Sequence, residues 1–328
     1  MEYVCICTFT PSPVPMPDPL PLHLATPLIE SMRLSKAAGW PVWLKLEALQ
    51  PTGSFKLRGI GLACAEYRRR GATRFVSSSG GNAGIAVAWA GRKLGVPVTV
   101  VVPLTTSEGA RALIREQGAE LLVEGASWQE ANDLAQSLLG AGGVLIHPFD
   151  DPLLWQGHAS LIDEIASVHR KPGAVVLSVG GGGLLAGVVE GLRGNGWHDV
   201  PVIAVETEGA SSLAASLAAG QRVVLPAITS IATSLGARQV CEQALRLAGE
   251  HPVHSVVVSD REAIEACLRF VEDHRLVVEP ACGAALAVAY RDAADTPAAH
   301  AGDDLLVVVC GGATAGIGQL QAWQATVT

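Results

Sequence analysis

Short, unbroken runs of Val, Leu and Ile recur along this 328-residue chain, at 42–46, 75–77, 98–102, 120–123, 144–146, 175–178, 202–205, 255–258 and 305–309, with helix-length segments between most of them. Strands that are apolar on both faces, rather than alternating, belong to parallel sheets covered by helices on each side. The pattern predicts an α/β chain of mostly parallel sheets flanked by helices. Composition agrees, since 49% apolar and 16% charged residues can furnish one or two substantial cores, and 36 glycines with 5% aromatics suit close helix-on-sheet packing. No repeat of fixed period and no linker divides the chain, so a second domain is expected as an insertion rather than an appendage.

Charge and cysteine usage exclude several classes. A net charge of −8 leaves no basic face for a phosphate backbone, and the one cationic run, at 68–70, falls at a predicted helix end, so no nucleic-acid partner is expected. Seven cysteines, at 5, 7, 64, 241, 267, 282 and 310, lack the paired spacing of a zinc site or a disulfide framework. They read as reduced thiols of a cytoplasmic protein. No apolar run reaches the roughly 18 residues needed to cross a bilayer, and no basic region precedes an apolar N-terminal stretch, so neither membrane insertion nor secretion is expected. Prolines at 11, 13, 15, 17, 19 and 21 predict an extended, poorly ordered leader over residues 1–21.

Four segments carry chemistry, and three of them join a predicted strand to a helix through glycine. In PTGSFKLRG, Lys56 stands at a helix start, where unpaired backbone donors and the positive helix end favour the neutral amine that imine chemistry requires. In SSSGGNAG, hydroxyls, the Asn82 amide and backbone N–H groups converge at another helix start and can cradle a carboxylate. In SVGGGGLLAG, Gly180, Gly181, Gly182 and Gly183 let the backbone wrap a monophosphate, without the Lys-Ser/Thr ending of a nucleotide loop or the context of a dinucleotide fold. In VVCGG, Cys310 could set a neutral thiol against a ligand ring. Taken singly, each has a plainer reading: a surface lysine, a helix cap, a tight turn and a buried cysteine.

In this order and at these separations, the four segments resemble the L-serine dehydratase branch of the tryptophan-synthase-type (fold type II) pyridoxal-5′-phosphate enzymes, over residues 22–324. The segments 50–61, 149–160 (FDDPLLWQGHAS) and 278–285 (VEPACGAA) strengthen the likeness. The resemblance implies a large cofactor-binding domain from 1–47 plus 151–328, an inserted small domain at 48–150, and a homodimer. It implies that Lys56 carries the cofactor as a Schiff base, that Phe55 packs on the pyridine ring, that glycines 180–183 hold the phosphate, and that Asn82 bonds the ring hydroxyl. Ser79 and Gly80, with Asn82, would receive the substrate carboxylate, and Cys310 would be the neutral partner of the pyridine nitrogen. Glu206 and Ala210 match positions that bind a monovalent cation such as potassium; a paired structural carboxylate is the other reading of Glu206.

The implied reaction is β-elimination of L-serine, and of L-threonine, to a 2-oxo acid and ammonia. Racemising relatives have a serine where this chain has Gly80, so weak or absent racemisation is expected. No isoleucine-sensing domain follows the VVCGG segment, so that feedback is not expected. Two rivals stay open at this point: a β-replacement synthase of the same fold, and a non-catalytic protein that binds the cofactor or an amino acid. The intact Lys56 weighs against the second.

Overall fold

The computed structural model describes residues 21–296 and 304–327; the leader at 1–20 lies outside the described residues. The first half comprises β1 (Leu28–Glu30), α1 (Met32–Ala38), β2 (Val42–Lys45), α2 (Lys56–Arg69), β3 (Arg74–Ser77), α3 (Asn82–Leu94), β4 (Val98–Val102), α4 (Glu108–Glu116), β5 (Glu120–Val123), α5 (Trp128–Ser137) and β6 (Gly143–Leu145). The second comprises α6 (Pro152–Val168), β7 (Ala174–Ser178), α7 (Gly183–Gly194), β8 (Val202–Thr207), α8 (Ser212–Ala219), α9 (Glu242–Glu250), β9 (Val253–Val258), α10 (Asp260–His274), α11 (Pro280–Ala289), β10 (Leu305–Val308) and α12 (Ile317–Gln324). Helix starts follow local chemistry: the side chains of Ser31, Ser107, Ser127, Asp151 and Ser259 each accept a first-turn N–H.

Two sheets result. A six-stranded sheet runs β1-β2-β10-β7-β8-β9 and a four-stranded sheet runs β5-β4-β3-β6. Every pairing is parallel except β1 with β2. The unbroken apolar strands are buried on both faces, as every residue of β4, β7, β8 and β10 shows. One core surrounds the larger sheet, and a second packs α2 and α3 on the smaller one. All nine predicted strands are present, with ends within two residues of the expected ones. The sequence reading missed β1, a three-residue antiparallel edge strand too short to show a period. Among the described residues no helix is long and apolar enough to cross a membrane.

Parallel strands point their C-terminal ends the same way, so the loops that leave them gather along one edge of each sheet. The PTGSFK loop leaves β2, the SSSGGN loop leaves β3, the tetraglycine loop leaves β7 and the CGG turn leaves β10. All four motifs are therefore carried on the same kind of strand end.

Candidate active site

The lysine loop is stitched to the end of β10. The Phe55 N–H donates to the Cys310 carbonyl at 3.1 Å and the Gly312 N–H donates to the Gly53 carbonyl at 2.8 Å. Glycine is required on both sides, because Gly53 has φ +75° and Gly311 has φ +86°, and a Cβ on Gly311 would strike the Gly53 carbonyl. Lys56 is then the first residue of α2, and its Nζ donates to the Pro148 carbonyl at 2.6 Å and lies 5.1 Å from the Phe55 ring centroid. The side chain opens partly to the cleft, but the amine is enclosed, and burial pushes its pKa down to about 8. Burial, rather than the helix terminus that the sequence suggests, is the larger cause of the lowered pKa.

The tetraglycine loop faces the same lysine through the turn at 147–150. His147 Nδ1 accepts the N–H groups of Phe149 (3.3 Å) and Asp150 (2.8 Å), and the Trp155 indole donates to the Phe149 carbonyl at 2.9 Å, so the turn is held from both ends. It presses against the glycines: a Cβ on Gly181 would land on the Phe149 ring, and one on Gly183 would come within 2.6 Å of the Phe149 carbonyl oxygen. Gly182 has φ +91° and precedes the first turn of α7. None of the N–H groups of Gly180, Gly181, Gly182 and Gly183 donates to another described residue, which leaves a row of donors at a helix N-terminus.

Asn82 ties three loops together. Its Nδ2 donates to Glu279 Oε1 at 2.6 Å and to Ser234 Oγ at 3.3 Å, while its Oδ1 accepts the Ala313 N–H at 3.0 Å. Glu279, which also accepts from Thr314 Oγ1 at 2.7 Å, is buried, and that burial pushes its carboxyl pKa up. Ser79 and Gly80 lie just before α3, and the Gly80 N–H donates to no other described residue. A Cβ on Gly80 would come within 2.7 Å of Thr106 Cγ2 and Oγ1, so Thr106 fills the room that a side chain at 80 would take. Glu279, Ser234, Thr106 and the turn at 147–150 are the site residues that sequence reasoning missed; Glu279 was visible only inside the VEPACGAA segment.

Cys310 is buried, and a hydrogen bond with Cys282, together with that burial, pushes its thiol pKa well up, so the sulfur stays protonated and neutral. Glu206 and Ala210 stand elsewhere, at the end of β8 and in the turn that follows. Glu206 is fully buried, and its two oxygens accept the N–H groups of Leu213 and Ala214, both at 2.8 Å, in the first turn of α8. Its known partners are thus those of a helix cap.

A buried lysine with a near-neutral amine, a bare-backbone cradle of free N–H donors, a buried amide and a neutral thiol define the site of an enzyme that holds a phosphorylated aldehyde as an imine. These residues fit pyridoxal phosphate, because a side chain at Gly180, Gly181, Gly182 or Gly183 would fill the cradle or collide around it. A family model described as pyridoxal-phosphate dependent enzyme matches residues 20–311, and the chain belongs to that family. It is 50% identical over 312 residues to a human L-serine dehydratase/L-threonine deaminase, covering 92% of this chain and 94% of the relative, and 50% identical over 307 residues to a human serine dehydratase-like protein, covering 92% and 93%. Among solved structures, a fungal L-serine ammonia-lyase from Rhizomucor miehei superposes with a TM-score of 0.88 at 38% identity, over 94% of this chain and 99% of that one. Maize serine racemase superposes with a TM-score of 0.84 at 25% identity, over 92% of each chain.

Two expectations arise directly from this geometry. Gly181→Ala forces the Phe149 ring off the loop, and pyridoxal phosphate affinity measured by titration of the apoprotein is expected to fall by about a hundredfold. Capture of the cofactor by apoprotein in stopped-flow absorbance is expected to accelerate as pH rises and to level off above about 8, because only the neutral amine attacks an aldehyde.

Proposed function

We propose that this enzyme removes the β-hydroxyl of L-serine, and of L-threonine, to give pyruvate or 2-oxobutanoate and ammonia. The observation that carries the reading is the enclosure of a Lys56 amine, its pKa lowered to about 8 by burial, between the Cys310 loop and the turn that backs the tetraglycine cradle, in a chain half identical to proteins named for this reaction.

Pyridoxal phosphate, when bound, supplies an aldehyde and a conjugated ring that takes up the electron pair left at the substrate α-carbon. The chain supplies the rest. Glycines 180–183 would hold the phosphate with their free N–H groups, Phe55 would form a wall for the ring, Asn82 would serve the ring hydroxyl, and Cys310 would be the neutral partner of the ring nitrogen. Such a thiol leaves the ring a weaker electron sink than a carboxylate partner would, which favours prompt loss of a β-leaving group. The N–H groups around Ser79, Gly80 and Asn82, at the start of α3, hold and orient the substrate carboxylate. Lys56, as a neutral amine titrating near 8, then takes the α-proton onto Nζ.

Gly80 has no proton to offer the opposite face of the α-carbon. D-serine is expected to stay undetectable by chiral chromatography while pyruvate accumulates. Introducing Gly80→Ser should not restore racemisation unless Thr106 turns away.

The two sheets support a division into a large domain, residues 1–47 plus 151–328, and an inserted small domain, 48–150, since β3 to β6 form one sheet and the remaining strands the other. The five described cysteines are all free and buried, which suits a reducing cytoplasm, and the exposed edge at Ile29 and Met32 suits a homodimer, checked by light scattering. Potassium is the cation we assign to Glu206 and Ala210. Burial pushes Glu206 up from 4.5 to about 7, so between those values the folded chain holds a proton that the unfolded chain lacks, and stability falls as pH rises across that range, the loss being complete above about 7. Potassium bound there offsets that loss, so its effect on Tm should be larger above pH 7 than below; an equal effect at both, or none, removes the assignment.

The deciding experiment is pyruvate formation from L-serine by the purified, cofactor-loaded protein with potassium present, followed by L-threonine and then thiol co-substrates. Absence of a 2-oxo acid from either amino acid, with the cofactor visibly bound, would overturn the reading, and product only in the presence of a thiol would make the enzyme a synthase.

A further inference from the structure

His158, in α6, has no part in the chemistry above. Its side chain is fully buried, and neither ring nitrogen has a hydrogen-bond partner among the described residues. Burying a polar group without a partner is unfavourable, so an aliphatic side chain would be the ordinary occupant of this position.

The surroundings are nevertheless shaped for this ring. Where α2, α6 and α7 cross, glycines stand at 59, 157 and 187. A Cβ on Gly59 would come within 2.7 Å of His158 Cε1 and 2.8 Å of Nε2, and one on Gly187 would strike the His158 Cβ. One on Gly157 would lie 2.5 Å from the Arg58 carbonyl oxygen and 2.6 Å from the Gly59 Cα. Three helices omit side chains at their closest approach, and one imidazole takes the room. That ring meets Phe55 with centroids 4.9 Å apart and planes tilted by 57°. Phe55 directly precedes Lys56, whose Nζ lies 5.1 Å from the same phenyl centroid. Burial first, then the charges of Lys56, Arg58 and His23, hold the imidazole well below its ordinary pKa, so it packs as a neutral ring.

We propose that His158 is a positioning residue for the cofactor: it backs Phe55, fixes the tilt of the phenyl ring, and so sets the wall against which the pyridine ring of pyridoxal phosphate lies. The proposal rests on Phe55 serving as that wall. A flat ring with an electropositive edge restrains a tilted aromatic neighbour, whereas an aliphatic chain of equal volume fills the space without setting an angle.

The test is a double-mutant cycle read by cofactor affinity. Apoprotein carrying His158→Leu, Phe55→Leu or both is titrated with pyridoxal phosphate, and the absorbance maximum of the lysine-bound cofactor is recorded, alongside thermal unfolding without cofactor. Each single change is expected to raise the Kd about tenfold and to move the absorbance maximum, and the double variant is expected to bind no more weakly than Phe55→Leu alone. Additive losses would overturn the proposal, because His158 would then act by a route other than Phe55. Normal affinity in His158→Leu with weakened binding in Phe55→Leu would overturn it while leaving the wall in place. Normal affinity in Phe55→Leu would remove the wall itself, and the proposal with it. If His158→Leu does not fold, His158→Gln is measured in its place; failure of both to fold assigns His158 to the core alone and overturns the proposal.

Discussion

Lys56→Ala is expected to lower pyruvate formation from L-serine by roughly 10⁴-fold or more, since one side chain both anchors the cofactor and moves the α-proton. A lactate-dehydrogenase-coupled assay measures the loss, and the visible absorbance of the lysine-bound cofactor should vanish with it. The fold should survive, because the Lys56 amine makes one hydrogen bond, to the Pro148 carbonyl, and no ion pair among the described residues. The pH dependence of stability supplies an internal control. In the cofactor-free parent the amine titrates near 8, against 10.5 for an exposed lysine, so between those values the unfolded chain holds a proton that the folded chain lacks. Stability of the parent relative to the alanine variant should therefore rise as pH climbs from about 8 to 10.5. Residual turnover near the parent rate would show that another group does the proton transfer.

The second large effect is on stability, at Arg58. This guanidinium is fully buried and doubly paired: Nε and Nη2 meet Glu47 at 2.7 and 2.8 Å, while Nη1 and Nη2 meet Glu164 at 2.7 and 2.8 Å. Lys45 completes the set with a 2.5 Å bond to Glu164 and a 2.7 Å bond to the Thr26 carbonyl, so two cations and two anions balance. Burial opposes the Arg58 charge, but its bonds to Glu164 and Glu47 outweigh that and raise its pKa. The cluster joins β2, the 3₁₀ turn at Glu47–Leu49, the first turns of α2 and the middle of α6, next to the lysine loop. Arg58→Met strands the buried Glu47 carboxylate, and urea denaturation should show a loss of about 3–5 kcal/mol. Adding Glu47→Gln to Arg58→Met should recover part of it, while Arg58→Lys, which keeps the charge but not the fork, should fall between. A loss under about 1 kcal/mol for Arg58→Met would mean that solvent reaches Glu47.

What could be read from the residues alone follows from how local each signal is. The tetraglycine turn, the lysine turn and the SSSGGN turn each sit within one strand–loop–helix unit, so their neighbours in sequence announce them even though distant segments complete their packing. An insertion is what the sequence leads one to expect, since no linker marks a boundary; that the strands between β2 and β7 pair only with one another is visible in the fold alone. Glu279 was not legible as a partner of Asn82, because 197 positions separate them and neither helix periodicity nor charge spacing reports such a contact. The Arg58 cluster escaped for the same reason: its arginine is separated from Glu164 by 106 positions. His158 in QGHAS and Thr106 opposite Gly80 acquire meaning only once three helices or two loops have met. Even for Lys56 the cause of the lowered pKa differs in part from the one the sequence suggests, because the degree of burial is a property of the assembled core.

The strand that closes the site is also the last strand among the described residues. β10 lies in the middle of the larger sheet, between β2 and β7, and supplies the Cys310 carbonyl and Gly312 N–H that hold the lysine loop. During synthesis, β2 and the PTGSFK segment leave the ribosome long before that partner exists. Until it docks, Lys56 is an ordinary solvated ammonium with a pKa near 10.5, and only a small neutral fraction of it can meet an aldehyde. The burial that lowers the Lys56 pKa therefore depends on a strand encoded about 250 positions downstream, and the amine gains its reactivity together with the completed sheet.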